Sequence, residues 1–260
     1  MAERVDLYGS YADFAGRVLQ AVRRETFGED IGQNSWTSAE EYARFAGWLG
    51  LRGGEHVLEV ACGAGGPALH MARTVGCRVT GVDSDAGGIA EATRRAGAGA
   101  TFLVADANAA LPFADGSFDG VVCVDAVNHL RDRAAVLREW RRVLRPGGRA
   151  VFTDPVVVTG AVTAEELAVR ASIGFFLFVP RGENERLIAE AGLRLVGTED
   201  VTENAAVIAG RWRAARDAHR EGLVQSEGAE RFEGLQRFFG MVHRLAAEKR
   251  LSRVAFVVEG

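Results

Sequence analysis

The sequence contains a glycine-rich stretch followed by an acid, and these residues together could bind a ligand. Residues His56–Val60 read as a buried strand, and the loop after them carries Gly63, Gly65 and Gly66. Asp83 ends the next predicted strand. A strand, a glycine loop and a helix open a nucleotide-binding βαβ unit, in which an acid about twenty residues further on binds the ribose. The pattern therefore predicts a site for a ligand that contains a ribose; the structural alternative is a tight turn with no ligand.

Polar residues also follow the later predicted strands of the same segment. Asp106 follows the third strand, Asp125 and His129 follow the fourth, and Asp154 ends the fifth. The reference pKa of histidine is about 6.5, so His129 is a sensible general base near neutral pH. Ligands of open α/β sheets lie outside the carboxyl ends of the strands. We therefore expect these side chains to lie around one cleft.

Strands and helices alternate along residues 51–155 and predict the sheet that would position these groups. The predicted strands are near 56–60, 78–82, 101–104, 119–124 and 149–154, and the clear helices are near 66–75, 86–96 and 132–144. Such alternation favours a parallel sheet with right-handed crossovers. Strands one and four should then flank the topological switch point, with the ligand at their carboxyl ends.

The rest of the chain reads as helical additions and outer strands. Apolar residues with helical spacing begin near Tyr11, and Thr37 or Ser38 is placed to cap a second helix. A sixth strand is predicted over 193–197 and a final, antiparallel strand over 254–258. The predicted domains are a helical cap at 1–50, a nucleotide-binding core with a helical arm at 51–200, a helical lid insertion at 201–250 and the final strand of the core sheet at 251–260.

Composition narrows the class of protein and of partner. The 260 residues are 48% apolar and 25% charged, as in an ordinary globular protein, and a net charge of −4 argues against a nucleic-acid surface. Three cysteines without a paired framework favour a reducing compartment, and no metal-ligand spacing occurs, so no metal is expected. The charged N-terminus and the lack of an apolar run of about twenty residues predict a cytoplasmic protein without a membrane partner. The oligomeric state is left open, with a homodimer as one alternative.

Four segments together resemble the class I S-adenosylmethionine-dependent methyltransferases. The spacing Glu59-x-Ala61-x-Gly63-x-Gly65 is similar to the family's E/D-x-G-x-G-x-G pattern, with Ala61 in place of the first glycine. The other segments are Val104–Ala107, LPFADGSFD at 111–119 and RVLRPGG at 142–148. The resemblance covers about residues 50–155 and implies a Rossmann-like α/β fold with a seven-stranded, mostly parallel sheet whose last strand is antiparallel.

The resemblance also implies a cofactor and the residues that bind it. The cofactor would be S-adenosyl-L-methionine, with the glycine loop beneath its ribose and methionine, Asp83 on the ribose hydroxyls, and Asp106 with Ala107 on the adenine edge. The cap would reach the methionine end, although Trp36 could equally pack against the core. The implied cofactor-binding residues are Gln33, Asn34, Ser35, Trp36, Glu59, Ala61, Gly63, Gly65, Asp83, Ser84, Asp106, Ala107 and Asp125.

The segment after strand four resembles the catalytic segment of phosphoethanolamine and natural-product sugar methyltransferases. His129 matches the histidine taken as catalytic there, and Asp125 matches the preceding acid, but Asn128 stands where the sugar type has a second histidine. His129 could instead cap the following helix or pack beside the core. Asp154 could orient His129 or contact the methyl acceptor, or it could be a turn residue before Pro155.

The function implied is methyl transfer to oxygen or nitrogen of a small molecule, of the kind found in secondary metabolism. The alternative is a cofactor-binding protein of the same fold that catalyses a non-methylating reaction such as cyclisation. An aromatic acceptor would suit the phenylalanines of the arm and lid, which could equally be ordinary packing. These phenylalanines are Phe175, Phe176, Phe178, Phe238 and Phe239.

Overall fold

The computed structural model describes residues 16–260, so the predicted helix start near Tyr11 lies outside the described residues. A single-turn 3-10 helix spans Val127–His129. The helices and strands in chain order are α1 (Arg17–Phe27), α2 (Ala39–Trp48), β1 (His56–Val60), α3 (Gly66–Val75), β2 (Arg78–Asp83), α4 (Ala86–Arg95), β3 (Ala100–Val104), β4 (Phe118–Cys123), α5 (Arg133–Val143), β5 (Leu144–Val158), α6 (Ala164–Arg170), β6 (Val179–Pro180), α7 (Glu183–Glu190), β7 (Arg194–Asp200), α8 (Thr202–Ala218), α9 (Arg220–Glu227), α10 (Ala229–Ala247) and β8 (Leu251–Glu259).

One sheet organises the described part of the chain, with strand order β3-β2-β1-β4-β5-β8-β7. Strands β1 to β5 pair in parallel, whereas β8 is antiparallel to both β5 and β7. The chain moves outward from β1 to β3 and then returns to place β4 on the other side of β1. The switch point therefore lies between β1 and β4, as predicted, and the predicted fold class is confirmed. The two-residue β6, which pairs with the end of β5, is an addition to the expected seven strands.

Strand β5 differs most from its prediction. It covers 15 residues, Leu144–Val158, instead of the segment 149–154. It begins early because Leu144 already pairs with Phe118 before a bulge, and it extends past Pro155 because Val157 pairs with both β6 and β8. Asp154 is therefore an interior residue of β5, and the interpretation of this acid as a turn residue is wrong.

Apolar side chains on both faces of the sheet explain why its central strands are buried. One face packs with α5 and α7 around Trp140 and Phe152, and the other packs with α2, α3 and α4 around Phe45. A third cluster joins α1 to the lid helices, where the Trp212 and Phe239 rings stack 5.3 Å apart. Residues 201–250 are helical as predicted and contain α8, α9 and α10, while the division into domains, including the lid insertion, stays a prediction.

The caps of the helices agree with the local sequence. Ser38 caps α2 by accepting a hydrogen bond from the Glu41 amide at 3.2 Å, and Thr163 forms a capping box with Glu166 at the start of α6. None of the described helices is both long and apolar enough to cross a bilayer.

The turn from β1 into α3 is tightly packed against its protein neighbours. A Cβ at Gly65 would lie 2.8 Å from the Ala92 Cβ, and one at Gly66 would lie 2.4 Å from the Ile31 carbonyl oxygen. The loop glycines thus permit close contact with α4 and with the cap segment. Ala61 opens the same turn with φ at 58°, in the left-handed region that favours glycine.

Replacing Ala61 with glycine should relieve this backbone strain. We expect Ala61→Gly to raise the free energy of unfolding by about 0.5–1 kcal/mol, because the left-handed conformation costs an L-residue more than glycine loses in entropy. Urea unfolding measures the change. The matched control is Ala72→Gly inside α3, which should lose about 1 kcal/mol. A comparable loss in Ala61→Gly would contradict the interpretation of strain.

Candidate active site

Asp83, at the end of β2, is held in place by two loop amides. Its Oδ2 accepts from the Gly63 amide and its Oδ1 from the Asp85 amide, each at 2.8 Å. Burial raises the pKa of Asp83 above its usual value, although these amides oppose the shift. Each carboxylate oxygen keeps a second lone pair, so the side chain can still accept hydroxyl hydrogens from a ribose. The geometry therefore fits the predicted ribose contact.

The neighbouring edge of the sheet offers the groups predicted for the adenine. Asp106 is exposed beyond β3, and hydrogen bonds from the Asn108 backbone and side-chain amides to its Oδ1 lower its pKa. Val104 pairs with Asp83 in the sheet and is 57% exposed. Ser84 is exposed and Ala107 half-buried. An exposed acid beside exposed apolar surface suits a purine, which has a polar edge and apolar faces.

Glu59 is a buried acid whose carboxyl group is held by the protein itself. It is buried at the end of β1, where Tyr42 donates its hydroxyl to Oε1 at 3.1 Å. Burial raises the pKa of Glu59 to about 8, so its carboxyl group is mostly protonated at neutral pH. Its Oε2 has no hydrogen-bond partner among the described residues. Glu59 therefore links α2 to β1 as a neutral acid and keeps one oxygen free.

Asp125 lies just after β4 in an ion-paired cluster with Arg253. Its Oδ1 accepts from Arg253 Nε at 2.6 Å and from Thr153 Oγ1 at 2.7 Å. Its Oδ2 accepts from the Trp36 amide at 2.8 Å. Arg253 also donates from Nη1 to Glu41 Oε2 at 2.6 Å. Both Asp125 oxygens are therefore occupied, and this acid fixes the cap segment to the end of β4.

The cap residues differ in what they contact. Trp36 lines a cavity, and its ring packs 6.1 Å from the rings of Phe238 and Phe239, while its contact with the methionine end of the cofactor stays a prediction. Ser35 lines the same cavity. Gln33 is 1% exposed, and its amide bonds to the Ile31 nitrogen and the Glu29 oxygen inside the loop itself.

His129 ends the 3-10 turn after β4, with one ring nitrogen bound and the other available. Its Nδ1 lies 2.7 Å from the Phe175 carbonyl oxygen. A carbonyl only accepts, so Nδ1 carries the hydrogen in the neutral ring and Nε2 is the basic nitrogen. Burial, reinforced by the positive charge of Arg170, lowers the pKa of His129 to about 4. The side chain that caps α5 is Asp132, so His129 does not have that role.

The cavity beside His129 lies between the sheet edge, the cap and the lid. Three of the predicted phenylalanines, Phe176, Phe238 and Phe239, form part of its wall. The lining residues are Asn34, Ser35, Trp36, Asp125, Asn128, His129, Pro155, Arg170, Ile173, Phe176, Trp212, Phe238 and Phe239.

Asp154 belongs to a buried network behind this cavity. Its Oδ2 accepts from Arg133 Nη1 at 2.6 Å and from Asn184 Nδ2 at 2.9 Å, and its Oδ1 accepts from the Val156 amide. Arg133 also donates from Nη2 to the Leu177 carbonyl oxygen at 3.3 Å. Asp154 is completely buried and makes no direct hydrogen bond to His129. Asp154 therefore holds Arg133, and Arg133 in turn holds the backbone segment that contains Leu177.

Sequence reasoning missed the arginines of these networks. Arg253 and Arg133 pair with acids 128 and 21 residues away, and Arg170 lies in the cavity wall. The one local signal is a charged residue beside an apolar strand pattern, as at Arg253. Such a residue needs a buried partner, but the sequence does not identify the partner.

Comparisons with known proteins identify the family to which the chain is similar. A family model described as a methyltransferase domain matches residues 58–152. The chain is 36% identical over 168 residues to 27-O-demethylrifamycin SV methyltransferase of Amycolatopsis mediterranei, an alignment that covers 62% of this chain and 61% of that protein. It is 33% identical over 217 residues to methyltransferase GfsG of Streptomyces halstedii, which covers 75% of each.

Two solved structures resemble the fold over almost the whole chain. The cyclopropane synthase MmaA2 of Mycobacterium tuberculosis has a TM-score of 0.82 at 17% identity, covering 98% of this chain and all of that one. The 4+2 cyclase SpnF has a TM-score of 0.76 at 22% identity, covering 100% of this chain and 97% of that one. At these identities the likeness supports the fold alone.

The Arg253 cluster should be sensitive to loss of its cation. We expect Arg253→Met to lower the free energy of unfolding by about 3–5 kcal/mol, because Asp125 and Glu41 would stay buried without a counter-charge. Urea unfolding measures this loss. The control is Arg194→Met. Arg194 pairs with Glu259 but its side chain is 64% exposed, so this variant should lose about 1 kcal/mol or less. Equal losses of unfolding free energy in the two variants would show that the buried cluster stabilises the fold no more than an exposed ion pair does.

Proposed function

The chain belongs to the class I S-adenosylmethionine-dependent methyltransferases with S-adenosylmethionine as cofactor, and we propose that it methylates an oxygen of a small-molecule acceptor with His129 as general base. The observation that carries the proposal is the His129 ring, which lines the cavity with Nδ1 bound to a carbonyl and Nε2 available. The name of the rifamycin relative favours oxygen over nitrogen as the methylated atom. The alignment spans 61% of that relative, so the acceptor itself is not transferred from it.

The donor would lie over the turn from β1 into α3. Asp83 would accept from the ribose hydroxyls, with Ser84 beside it, while Asp106 and the Ala107 amide would bind the adenine edge. Ser35 and Trp36, which line the cavity, would border the methionine end. Bound S-adenosylmethionine supplies a methyl group on a positively charged sulfur, which is already activated for displacement.

The protein's part in the reaction is to position the acceptor, exclude water and remove a proton. Orientation of two reactants in a near-attack geometry is worth roughly 7–11 kcal/mol in favourable systems. The lid helices and Trp36 close the cavity on the side away from the sheet, and His129 Nε2 would take the acceptor proton. Asp125 acts as a positioning residue, because its oxygens hold Arg253 and the Trp36 amide. Asp154 would position the segment that bonds His129, through Arg133.

Asp83 should contribute much of the affinity for the donor. We expect Asp83→Ala to weaken binding of S-adenosylhomocysteine by roughly 10–100-fold, since hydrogen bonds to a charged group are worth about 1.5–3 kcal/mol. Isothermal titration calorimetry measures the affinity. The control is Asp115→Ala, an acid that is 82% exposed in the loop before β4, which should bind as the parent protein does. Undiminished binding in Asp83→Ala would place the donor elsewhere.

His129→Gln should lower kcat by about 10²–10⁴-fold and leave the affinity for S-adenosylhomocysteine unchanged. The assay follows label transfer from methyl-labelled S-adenosylmethionine to a panel of phenolic and macrolide hydroxyl acceptors. The matched control is His243→Gln, because His243 also bonds a carbonyl oxygen through Nδ1 but lies on α10 outside this cavity. Full activity in His129→Gln would rule out its role as base. Binding of the donor without formation of S-adenosylhomocysteine by any acceptor would favour the cyclase alternative.

The pH profile of kcat/KM, which reports the ionisable groups of the free enzyme, should identify the basic group as well. Only the neutral imidazole can accept a proton, so the rate should fall as pH decreases through the pKa of His129, which is about 4. We therefore expect a level profile from neutral pH down to about pH 5 and a decline below it. Measurements must be confined to conditions where circular dichroism shows the protein folded. An acidic limb centred near 6.5 would contradict the buried environment of this histidine.

A further inference from the structure

Arg170 is a buried arginine without a carboxylate partner. It is 2% exposed at the end of α6, and none of its N–H groups donates a hydrogen bond to any residue in the described range 16–260. Among residues 16–260, the other three arginines with at most 2% exposure, Arg133, Arg216 and Arg253, each pair with an acid. Arg170 lines the cavity that contains His129. Its unused donors therefore border the proposed acceptor site.

Aromatic rings surround the Arg170 guanidinium instead of acids. Its central carbon lies 4.6 Å from the centroid of the Phe176 ring, 5.2 Å from that of Phe238 and 5.9 Å from that of Trp36. Cation–π contacts stabilise the guanidinium, but they use the ring faces and satisfy no N–H donor. The site therefore keeps both its positive charge and its hydrogen-bonding capacity for another group.

Asn128 adds a second set of unused polar atoms to the same cavity. Its side chain is completely buried, and neither Oδ1 nor Nδ2 has a hydrogen-bond partner among residues 16–260. An unpaired buried amide is costly, so these two atoms are available to a ligand that reaches the cavity. Its backbone is already fixed, since the Asn128 carbonyl accepts from the Leu177 amide at 2.8 Å.

The nearby acids, Asp125 and Asp154, form no ion pair with Arg170. Asp125 is engaged by Arg253, and Asp154 is engaged by Arg133 and Asn184. A buried cation that lacks a protein counter-ion favours a ligand that brings the negative charge. The flat walls formed by Trp36, Phe176 and Phe238 favour a planar, apolar body attached to that charge.

We propose that the methyl acceptor presents an anionic oxygen, carried on a flat apolar body, to Arg170 and Asn128. The inference rests on the proposed function and specifies its substrate class: an ionised phenol or enol, or a planar carboxylate. Arg170 binds the charge and Asn128 donates from Nδ2 to the same oxygen or its neighbour. A phenol or enol that arrives protonated would give its proton to His129 Nε2 and become the anion that Arg170 holds, whereas an acceptor that arrives ionised needs no base.

The test uses pairs of planar probes that differ in charge, titrated into the protein saturated with S-adenosylhomocysteine. One arm compares 4-nitrophenolate with neutral 4-nitroaniline at pH 8.5, and the other compares benzoate with benzamide at pH 7.5. We expect the parent protein to bind at least one anion tenfold or more tightly than its neutral partner. The arm with the larger preference distinguishes a phenolate from a carboxylate.

Variants of Arg170 test whether the preference for anionic probes comes from the cavity beside His129. Arg170→Met, which keeps the aliphatic volume, should reduce the preference to within twofold, and Arg170→Lys should retain part of it. Unchanged affinity for S-adenosylhomocysteine shows that these variants are folded. Equal affinity for charged and neutral probes in the parent protein, including no binding of either, overturns the proposal, as does a preference that survives in Arg170→Met. Failure to bind S-adenosylhomocysteine at all would instead refute the proposed function.

Discussion

The ion cluster around Arg253 is the interaction on which the geometry of the site depends. Its guanidinium joins the last strand to Asp125 after β4 and to Glu41 in α2, and every member is nearly inaccessible to water. Buried charges are tolerated only when paired, so these segments must come together as a unit. Asp125 then holds the Trp36 amide. The end of the chain thus fixes the cap segment that covers the proposed donor and acceptor positions.

A second buried arginine, Arg133, holds the backbone segment that positions the proposed base, His129. Arg133 pairs with Asp154 and holds the Leu177 carbonyl, while the amide of Leu177 bonds to the Asn128 carbonyl. Two residues earlier, the Phe175 carbonyl accepts from His129 and sets which ring nitrogen is basic. The acid predicted to orient the histidine directly therefore has an indirect route to it, through the backbone of the segment after α6.

The features that local sequence patterns determine were predicted correctly. Hydrophobic periodicity placed the strands and helices within a few residues, and the spacing from the glycine loop to Asp83 placed that acid beside the loop. The extent of β5 was missed because its length depends on pairing with β6 and β8, which lie far along the chain. The partners of Asp125 and Asp154 were missed for the same reason. An arginine such as Arg170 looks like a solvated helical residue until the fold buries it.

The charges in the cavity are coupled, and this coupling bears on how acceptor and base act together. Burial is the main cause of the low pKa of His129, and the positive charge of Arg170 lowers it further. A ligand anion placed against Arg170 would cancel part of that charge and raise the pKa of the histidine, because an opposite charge nearby favours the protonated ring. When a bound phenol gives its proton to His129, the anion that forms against Arg170 would therefore stabilise the protonated ring. A ligand that forms no anion would leave His129 in its weakly basic state, so the same cation that favours an anion would also restrict proton transfer to His129 to acceptors that become anionic.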